Sequence, residues 1–272
     1  MVYFLNKSYF LDLRLALKRR VTKPVDLNML TGKQREIQER HELFVDVART
    51  HLLEEGYEGL TIAGIAEATG FSKGTVYQRF ARREELVVEL GRRSRERLAR
   101  MWERAAQFPG RPRERILAFG ETFLYYSRHY PDDMRILAII TAESILEKVS
   151  EEQRSAMDEL DVGMFEIMLD IVQEAIEQGD LVLDQGSTPQ TVCLALWALA
   201  DGYFAAARGS VPLETAGIPD PMEELARSGH YLLDGYRWRP LYHEWDYEET
   251  LRRIRSTIFT EEADPASAPD AG

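Results

Sequence analysis

The stretch 61–80 constrains the fold more than any other part of the chain, because two short helical patterns flank a single glycine. Thr61 is a helix-capping residue type at the start of the first pattern. The apolar residues that follow recur at the i, i+3, i+4 spacing of a buried helix face: Ile62, Ile65 and Ala66. Gly70 can adopt the left-handed backbone conformation that ends a helix and turns the chain. The stretch therefore predicts a helix-turn-helix.

The second helix of this pattern has one apolar and one polar face. Ser72 is its capping residue, and Val76 and Phe80 face inward at i, i+4 spacing. The other positions carry side chains that DNA-binding proteins use: Lys73, Thr75, Tyr77, Gln78 and Arg79. Cationic and hydroxyl side chains bind phosphates, and glutamine or arginine can pair with a purine edge in the major groove. The polar face is therefore predicted to bind DNA.

These residues resemble the tetracycline-repressor (TetR) family of regulators. The matching positions, from about Arg40 to about Gly91, are Gly56-Tyr57, Thr61, Ile65-Ala66, Gly70, Ser72 to Tyr77, Phe80 and Glu84-Glu85-Leu86. The resemblance implies an all-α protein, with a three-helix DNA-binding head and a larger helical domain that binds an effector and dimerises. The alternative is a small helical bundle that happens to be basic.

The resemblance, together with side-chain chemistry, suggests roles within the head. Four residues are assigned to phosphate contacts: Thr61, Lys73, Tyr77 and Arg83. Four are candidates for base edges: Ser72, Thr75, Gln78 and Arg79. Gly74 keeps the recognition helix close to the duplex. The family often has His or Tyr immediately before the phenylalanine, whereas this chain has Arg79, which adds either a base contact or a further phosphate contact.

The net charge of −12 at first argues against a nucleic-acid partner, so its distribution along the chain matters. The charge is +4 over residues 1–32, +1 over residues 33–104 and −17 over residues 105–272. Between Thr69 and Arg83 there are four basic residues and no acidic ones. This local excess suits a phosphate backbone, and it predicts that DNA meets the N-terminal part of the chain.

Proline, glycine and charge patterns divide the chain into four segments. Residues 1–32 are an N-terminal extension: an amphipathic arm, a basic extension, or an over-long reading frame with its natural start at Met29, the interpretation favoured here. Residues 38–98 are the predicted DNA-binding domain, residues 99–259 the effector-binding and dimerisation domain, and residues 260–272 a disordered tail. Helices are predicted near 33–55, 84–106, 113–129, 132–149, 151–178, 188–208, 220–235 and 246–258.

The stretch Gln190 to Arg208 is apolar on nearly all sides, which predicts a helix buried on several faces. One face can pack on the domain's own core and another on a two-fold partner, since alanines allow helices to approach closely. The alternative is a central helix of a monomer. A homodimer is favoured, because two copies of the head are needed to bind a palindrome with half-sites about one helical turn apart.

The larger domain contains aromatic and methionine residues that line either a ligand cavity or an ordinary core. The candidates for an effector pocket are Trp102, Phe123, Tyr126, Met164, Met168 and Trp197, together with the carboxylate of Glu143.

Other function classes find little support. Metal-ligand spacings, nucleophile motifs and phosphate loops are absent from the sequence, so no enzyme, cofactor or metal is predicted. No apolar run is long enough to span a membrane. The single cysteine, Cys193, fits a reducing cytoplasm, and it is expected to be a buried hydrophobe, with a redox sensor as the alternative.

The sequence thus predicts a cytoplasmic, homodimeric regulator that binds double-stranded DNA at a palindromic operator. The family resemblance further implies a repressor that a small, largely apolar effector releases by shifting the long helix that starts at Glu84. The alternative is a helical ligand-binding or protein-interaction module with only non-specific affinity for DNA.

Overall fold

The computed structural model describes residues 31–140, 143–209, 213–218 and 220–259, with Glu143 and Ser144 described by their backbone alone. Every regular element in these ranges is helical, which confirms the predicted all-α class. The proposed tail lies outside the described residues, and so does the N-terminal extension apart from its last two positions.

The helices are α1 (Gly32–Glu54), α2 (Gly56–Gly59), α3 (Ile62–Thr69), α4 (Lys73–Tyr77), α5 (Arg83–Ala106), α6 (Pro112–His129), α7 (Pro131–Ile140), α8 (Glu143–Leu146), α9 (Glu151–Glu177), α10 (Pro189–Arg208), α11 (Pro221–Gly235) and α12 (Tyr247–Ile258), with a 3-10 turn at Tyr242–Glu244. None of them has the length and apolarity that crossing a bilayer requires.

The described chain forms two compact units. The first comprises residues up to 96 together with 132–162, and the second comprises residues 97–131 together with those from 163 onward. Residues 132–162 therefore group with the helix-turn-helix, although they lie beyond position 98 in the sequence. Helices α5 and α9 each contribute to both units.

Helix α1 begins the first unit with a capping box. The Thr31 side chain accepts a hydrogen bond from the Gln34 backbone N–H, and the Gln34 side chain accepts one from the Thr31 backbone N–H. Its buried face consists of His41, Phe44, Val45, Ala48 and Leu52. The helix ends before Gly56, whose φ of +75° is a left-handed conformation that glycine adopts without strain.

Helix α7 packs into the first unit through charge and through close contact. Arg49 of α1 donates to Asp133 at 2.7 Å, and Arg135 donates to the Leu53 carbonyl at 2.9 Å. A Cβ added to Gly91 of α5 would lie 2.4 Å from Cδ1 of Ile140. The Ile140 side chain thus occupies the space that any other residue at position 91 would fill, and Ile140 is itself 2% exposed.

The second unit packs α10 and α11 around a small core of Leu124, Met222 and Leu225, to which Leu199 and Tyr203 add partly buried surface. A second centre lies around Arg113, whose side chain is fully buried. This guanidinium pairs with Asp234 at 2.7 Å and donates to the Trp238 carbonyl. A buried cation is stable here because its charge is paired and both of its terminal nitrogens donate.

The observed helices follow most of the predicted ones. Residues 132–149 were expected to form one helix; helix is observed at Pro131–Ile140 and Glu143–Leu146, and residues 141–142 lie outside the described residues. Residues 147–149 are not helical, so the helical structure ends three residues before the predicted position. The recognition helix is also shorter than expected, because α4 ends at Tyr77 and residues 78–80 continue as a turn.

Candidate DNA-binding surface

The two helices of the helix-turn-helix are capped as predicted. The Thr61 hydroxyl accepts from the Gly64 backbone N–H at 3.0 Å, and Gly70 has a φ of +73° at the end of α3. The Ser72 hydroxyl accepts from the Thr75 backbone N–H at 3.1 Å. Each such cap is worth about 1 kcal/mol of helix stability. The turn is thus built by local hydrogen bonds together with the left-handed glycine.

The second helix is anchored on one side only. Val76 is fully buried and Phe80 is 4% exposed, whereas Tyr77 is 54% exposed. Of the residues predicted to bind DNA, most are solvent-exposed: Thr61, Ser72, Lys73, Gly74, Tyr77, Gln78 and Arg79. Thr75 is half-buried, and its hydroxyl lies 2.9 Å from that of Ser72. The structure thus brings residues 72–79 together as one polar surface.

Arg79 is fixed by a hydrogen bond that crosses the unit. Its Nε donates to Nδ1 of His41 in α1 at 2.8 Å. The His41 ring is stacked on Phe80 with centroids 5.2 Å apart, and its Nε2 lies 3.7 Å from a carboxylate oxygen of Glu89 in α5. Because an arginine Nε–H can only donate, Nδ1 must be the unprotonated nitrogen of the ring. The His41 proton therefore sits on Nε2, facing Glu89.

Glu89 is the centre of a charged cluster beside His41. Arg92 pairs with it at 2.8 Å and Arg93 at 3.0 Å, and Arg93 also reaches Glu42 of α1 at 2.7 Å. Burial favours the protonated acid, but the nearby His41 ring and hydrogen bonds from the two arginines outweigh it and hold the pKa of Glu89 well below its ordinary value. The cluster ties α5 to α1 behind the recognition helix.

Arg83 directs its guanidinium into the fold rather than away from it. Nη1 donates to the carbonyls of Tyr57 at 3.0 Å and Leu60 at 3.4 Å, and the guanidinium lies 4.1 Å from the centre of the Tyr57 ring. The Tyr57 hydroxyl in turn donates to Glu84 at 2.7 Å. Arg83 thus closes the end of α2, and its 25% exposed side chain has fewer donors left for a phosphate.

Two of the predicted pocket residues, Trp102 and Trp197, meet in an aromatic cluster of the second unit, and a third, Phe123, makes an aromatic pair of its own. Trp102 stacks on Phe119 with centroids 4.8 Å apart, and the Trp197 ring meets Trp102 edge-on at 6.0 Å. Phe123 contacts Phe204 edge-on, also at 6.0 Å. Nε1 of Trp102 is buried without a hydrogen-bond partner among the described residues. Polar atoms left unpaired in an apolar setting are places where a ligand can bond.

The other pocket candidates are placed differently. Tyr126 is fully buried and its ring lies 5.1 Å from that of Tyr130. Met164 and Met168 of α9 are buried, at 1% and 3% exposed. The side chain of Glu143 lies outside the described residues.

Cys193 is a buried side chain, as expected. Burial raises the pKa of its thiol to about 12, so the thiolate that oxidation and metal binding require is disfavoured. The alternative of a redox sensor is therefore not supported. In the ranges that the structure describes, no group of three or more His, Cys, Asp or Glu side chains is arranged to hold a metal ion.

Residues 44–90, which form most of this surface and its supporting core, match the family model described as bacterial regulatory proteins, tetR family. The chain carries a TetR-family N-terminal domain. Over 73 residues it is 34% identical to the HTH-type transcriptional repressor AcnR from Corynebacterium efficiens. This similarity covers 27% of the present chain and 38% of AcnR, so the chain spans well under half the length of that relative.

Solved structures share the fold over most of the chain. FadR from Bacillus subtilis, in complex with stearoyl-CoA, has a TM-score of 0.52 at 18% identity, over 72% of this chain and 98% of FadR. AibR, in complex with isovaleryl coenzyme A and operator DNA, has a TM-score of 0.51 at 16% identity, over 73% of this chain and 98% of AibR. At these identities the likeness shows the fold: an N-terminal helix-turn-helix domain followed by a larger helical domain.

The TetR-type domain also contains residues that sequence reasoning did not assign to the surface. Arg40 lies 5.1 Å from the centre of the Phe71 ring, next to the capping residue of α4, and so adds a cation to the surface. His41 is the second such residue, because it accepts the hydrogen bond from Arg79. Neither contact has a local signal, because Arg40 and His41 of α1 reach Phe71 and Arg79 only through the tertiary fold.

We expect Glu89→Gln to lower the free energy of unfolding at pH 7 by about 2–3 kcal/mol, because the arginines around it lose their shared anion. The folded-state pKa of Glu89 is depressed, so its contribution to stability is present above the ordinary value of 4.5 and is lost as the pH falls below it. The difference between variant and native protein should shrink by up to about 1.4 kcal/mol per pH unit below that point. Urea unfolding at pH 7 and pH 3.5 measures both quantities.

Glu103→Gln, at an exposed position on the same helix, is the matched control and should change stability little at either pH. If the Glu89 variant lost the same amount of unfolding free energy at both pH values, the stabilisation by Glu89 would not depend on its charge.

Proposed function

We propose that this protein is a homodimeric, sequence-specific DNA-binding transcriptional repressor that works in the cytoplasm. The observation that carries the proposal is the outward face of α4, where Lys73, Tyr77 and Gln78 are exposed above the buried side chains of Val76 and Phe80. The segment Thr69 to Arg83 carries cations and no acidic residue, so an approaching phosphate backbone meets no repulsion there. The match to a family of bacterial regulatory proteins supports the same conclusion.

Within this proposal, exposure and hydrogen bonding suggest the role of each side chain. Lys73 and Tyr77 bind phosphates together with Thr61, while Gln78 and Arg79 are the main base-reading residues. Ser72 and Thr75 keep part of their hydroxyl capacity for the helix cap and for each other, so they read bases less strongly. Arg83 acts first as a structural clamp and only secondarily as a phosphate contact.

The outer face of α10 supports a homodimer. Within the chain, only Val192 and Cys193 of this helix are fully buried by described residues. Leu194 is 41% exposed, and Ala198, Gly202 and Ala205 continue an exposed stripe of small residues along the same side. A stripe of this kind lets an identical helix from a second copy pack closely across a two-fold axis. Two heads would then reach half-sites about 34 Å apart on a palindrome.

The aromatic cluster around Trp102 supports binding of a small, largely apolar effector in the second unit. The unpaired Nε1 of Trp102 would suit one acceptor atom on an otherwise apolar ligand. FadR and AibR were solved with acyl-CoA molecules, in which the acyl group is the apolar part that such a cluster would accept, so this is the first class of compound to test.

Helix α5 offers the route of coupling, since it carries Glu89 in the first unit and Trp102 in the second. A ligand that displaces Trp102 would shift α5 and, through Glu89 and His41, the recognition surface. The two half-sites could then no longer be engaged together.

Selection from random duplex DNA with the native protein should recover one palindrome. Tyr77→Ala should weaken binding to that duplex by about tenfold, because a phosphate contact is lost in each half-site, and should leave thermal stability unchanged since the ring is exposed. Tyr77→Phe tests whether the hydroxyl alone accounts for the loss. Fluorescence anisotropy with the selected duplex measures each affinity.

A salt titration separates this proposal from a module with only non-specific affinity. A specific repressor keeps its preference for the palindrome at physiological salt, whereas a merely basic patch loses all duplexes equally as salt rises. Recovery of no preferred sequence would favour the interaction module.

Ala198→Glu should convert the dimer to monomer, because each copy would bring an unpaired carboxylate into the shared interface. Sedimentation velocity measures the change. Val182→Glu is the matched control, since Val182 is an apolar side chain of the same unit, 76% exposed and outside α10. Dissociation by both variants, or by neither, would argue against α10 as the dimer interface.

Acyl-CoA molecules of increasing chain length should raise the Kd for the selected duplex by tenfold or more when one of them fits. Trp102→Ala should abolish this response while leaving DNA affinity unchanged without ligand. Trp245→Ala, at a partly exposed tryptophan outside the cluster, should keep the response. If no acyl-CoA changes either the Kd or the melting temperature, this effector class is excluded.

A further inference from the structure

We propose that His41 is a positioning residue for DNA recognition, and that it presets the Arg79 guanidinium to read a guanine in the major groove. The inference rests on the proposed function, which it deepens by naming a base and the residue that orients its reader. It begins from the 2.8 Å hydrogen bond between Arg79 Nε and His41 Nδ1.

The bond determines which part of the guanidinium remains available. Because Nε is used by His41, a contact through Nε and one Nη is blocked, and only the terminal pair Nη1 and Nη2 is left. Neither terminal nitrogen has an acceptor among the described residues, and Arg79 is exposed. Two parallel N–H groups match the N7 and O6 acceptors of guanine, which is the commonest specific arginine contact.

The position of Arg79 favours a base edge over a phosphate. Arg79 follows Thr75 by four residues, and the backbone of Gln78 between them still has helical angles, so Arg79 lies about one helical turn beyond Thr75. Lys73 and Tyr77 already supply groups for phosphates, and a phosphate can be reached by a mobile side chain without a preset direction. A contact with a base edge, in contrast, is stronger when the direction of the side chain is already fixed.

His41 is itself held in place on two sides. Its ring is 8% exposed and stacks on Phe80, and its Nε2 faces the ionised Glu89. Glu89 is in turn fixed by Arg92 and Arg93. The acceptor offered to Arg79 is therefore rigid, which lowers the entropy that the arginine loses when it meets DNA.

Two amide variants at position 41 separate positioning from simple packing. His41→Asn places an amide oxygen near the position of Nδ1, so it can still accept from Arg79. His41→Gln reaches toward Glu89 in place of Nε2 but offers no acceptor near Nδ1. Urea unfolding of both variants confirms that any difference in DNA binding comes from folded protein.

The probe is the duplex selected by the native protein, with 7-deazaguanine replacing each guanine of a half-site in turn. In native protein one replacement should weaken binding, because it removes the N7 acceptor, and Arg79→Ala should be insensitive to that replacement. We expect His41→Gln to weaken binding about 3- to 10-fold per half-site and to lose the same sensitivity. His41→Asn should retain both the native affinity and the sensitivity to 7-deazaguanine.

In the Arg79→Ala background, His41→Gln should cause no further loss, whereas Lys73→Ala should add its full effect. Equal behaviour of the Asn and Gln variants, or an undiminished effect of His41→Gln without Arg79, would overturn the inference and leave the repressor proposal intact. A uniform loss at all duplexes would overturn the guanine assignment in favour of phosphate. Failure of the native protein to select any duplex would reject the proposed function and this inference together.

Discussion

Burial of Val76 and Phe80 beneath α4 is the interaction on which the candidate DNA-binding surface depends. A helix of five residues has no stability of its own in water, since isolated helices need about 12–15 residues to be even marginally stable. Helix α4 exists because its cap satisfies the first backbone N–H groups and because its apolar side chains are taken up by the core of the first unit. Lys73, Tyr77 and Gln78 can therefore remain exposed without contributing to folding.

Several charged side chains of the same unit form ion pairs instead of being exposed to solvent. Along α5, Arg92 and Arg93 converge on Glu89, and Arg95 pairs with Asp161 at 2.9 Å. These side chains hold helices together at the cost of desolvation, which is tolerable because each cation meets an anion. The cations of the exposed surface, such as Lys73, are a separate population, and only they are available to DNA.

Local chemistry explains what the sequence could predict. The sequence could predict features whose residues lie within eight positions of one another. These features are the caps at Thr61 and Ser72, the turn at Gly70 and the buried pair Val76 and Phe80. The link between Arg79 and His41 joins positions 38 residues apart and has no such pattern. For the same reason Arg83 was read as a phosphate contact, although its donors reach back across 23 to 26 residues to carbonyls near α2.

Burial was the hardest property to infer for the larger domain. An aromatic residue in a helix looks the same in sequence whether it fills a core or borders a cavity, and only packing distinguishes Trp102, with its unpaired Nε1, from the fully buried Tyr126. The end of α8 at Leu146, three residues before the predicted position 149, was missed because no proline or glycine marks it. In helix α10 nearly every position is apolar, so the sequence did not show which side of the helix is buried by the rest of the chain.

The contact between Gly91 and Ile140 packs helix α5 closely against α7 inside the first unit. Since the isoleucine side chain fills the volume of the missing Cβ, neither helix can advance toward the other, and the pair must translate together or separate. Gly91 lies two residues beyond Glu89, whose carboxylate faces the ring that holds Arg79. A displacement of α7 by a fraction of an ångström would therefore also move α5 and, through Glu89 and His41, the guanidinium of Arg79, because closely packed side chains have low compressibility.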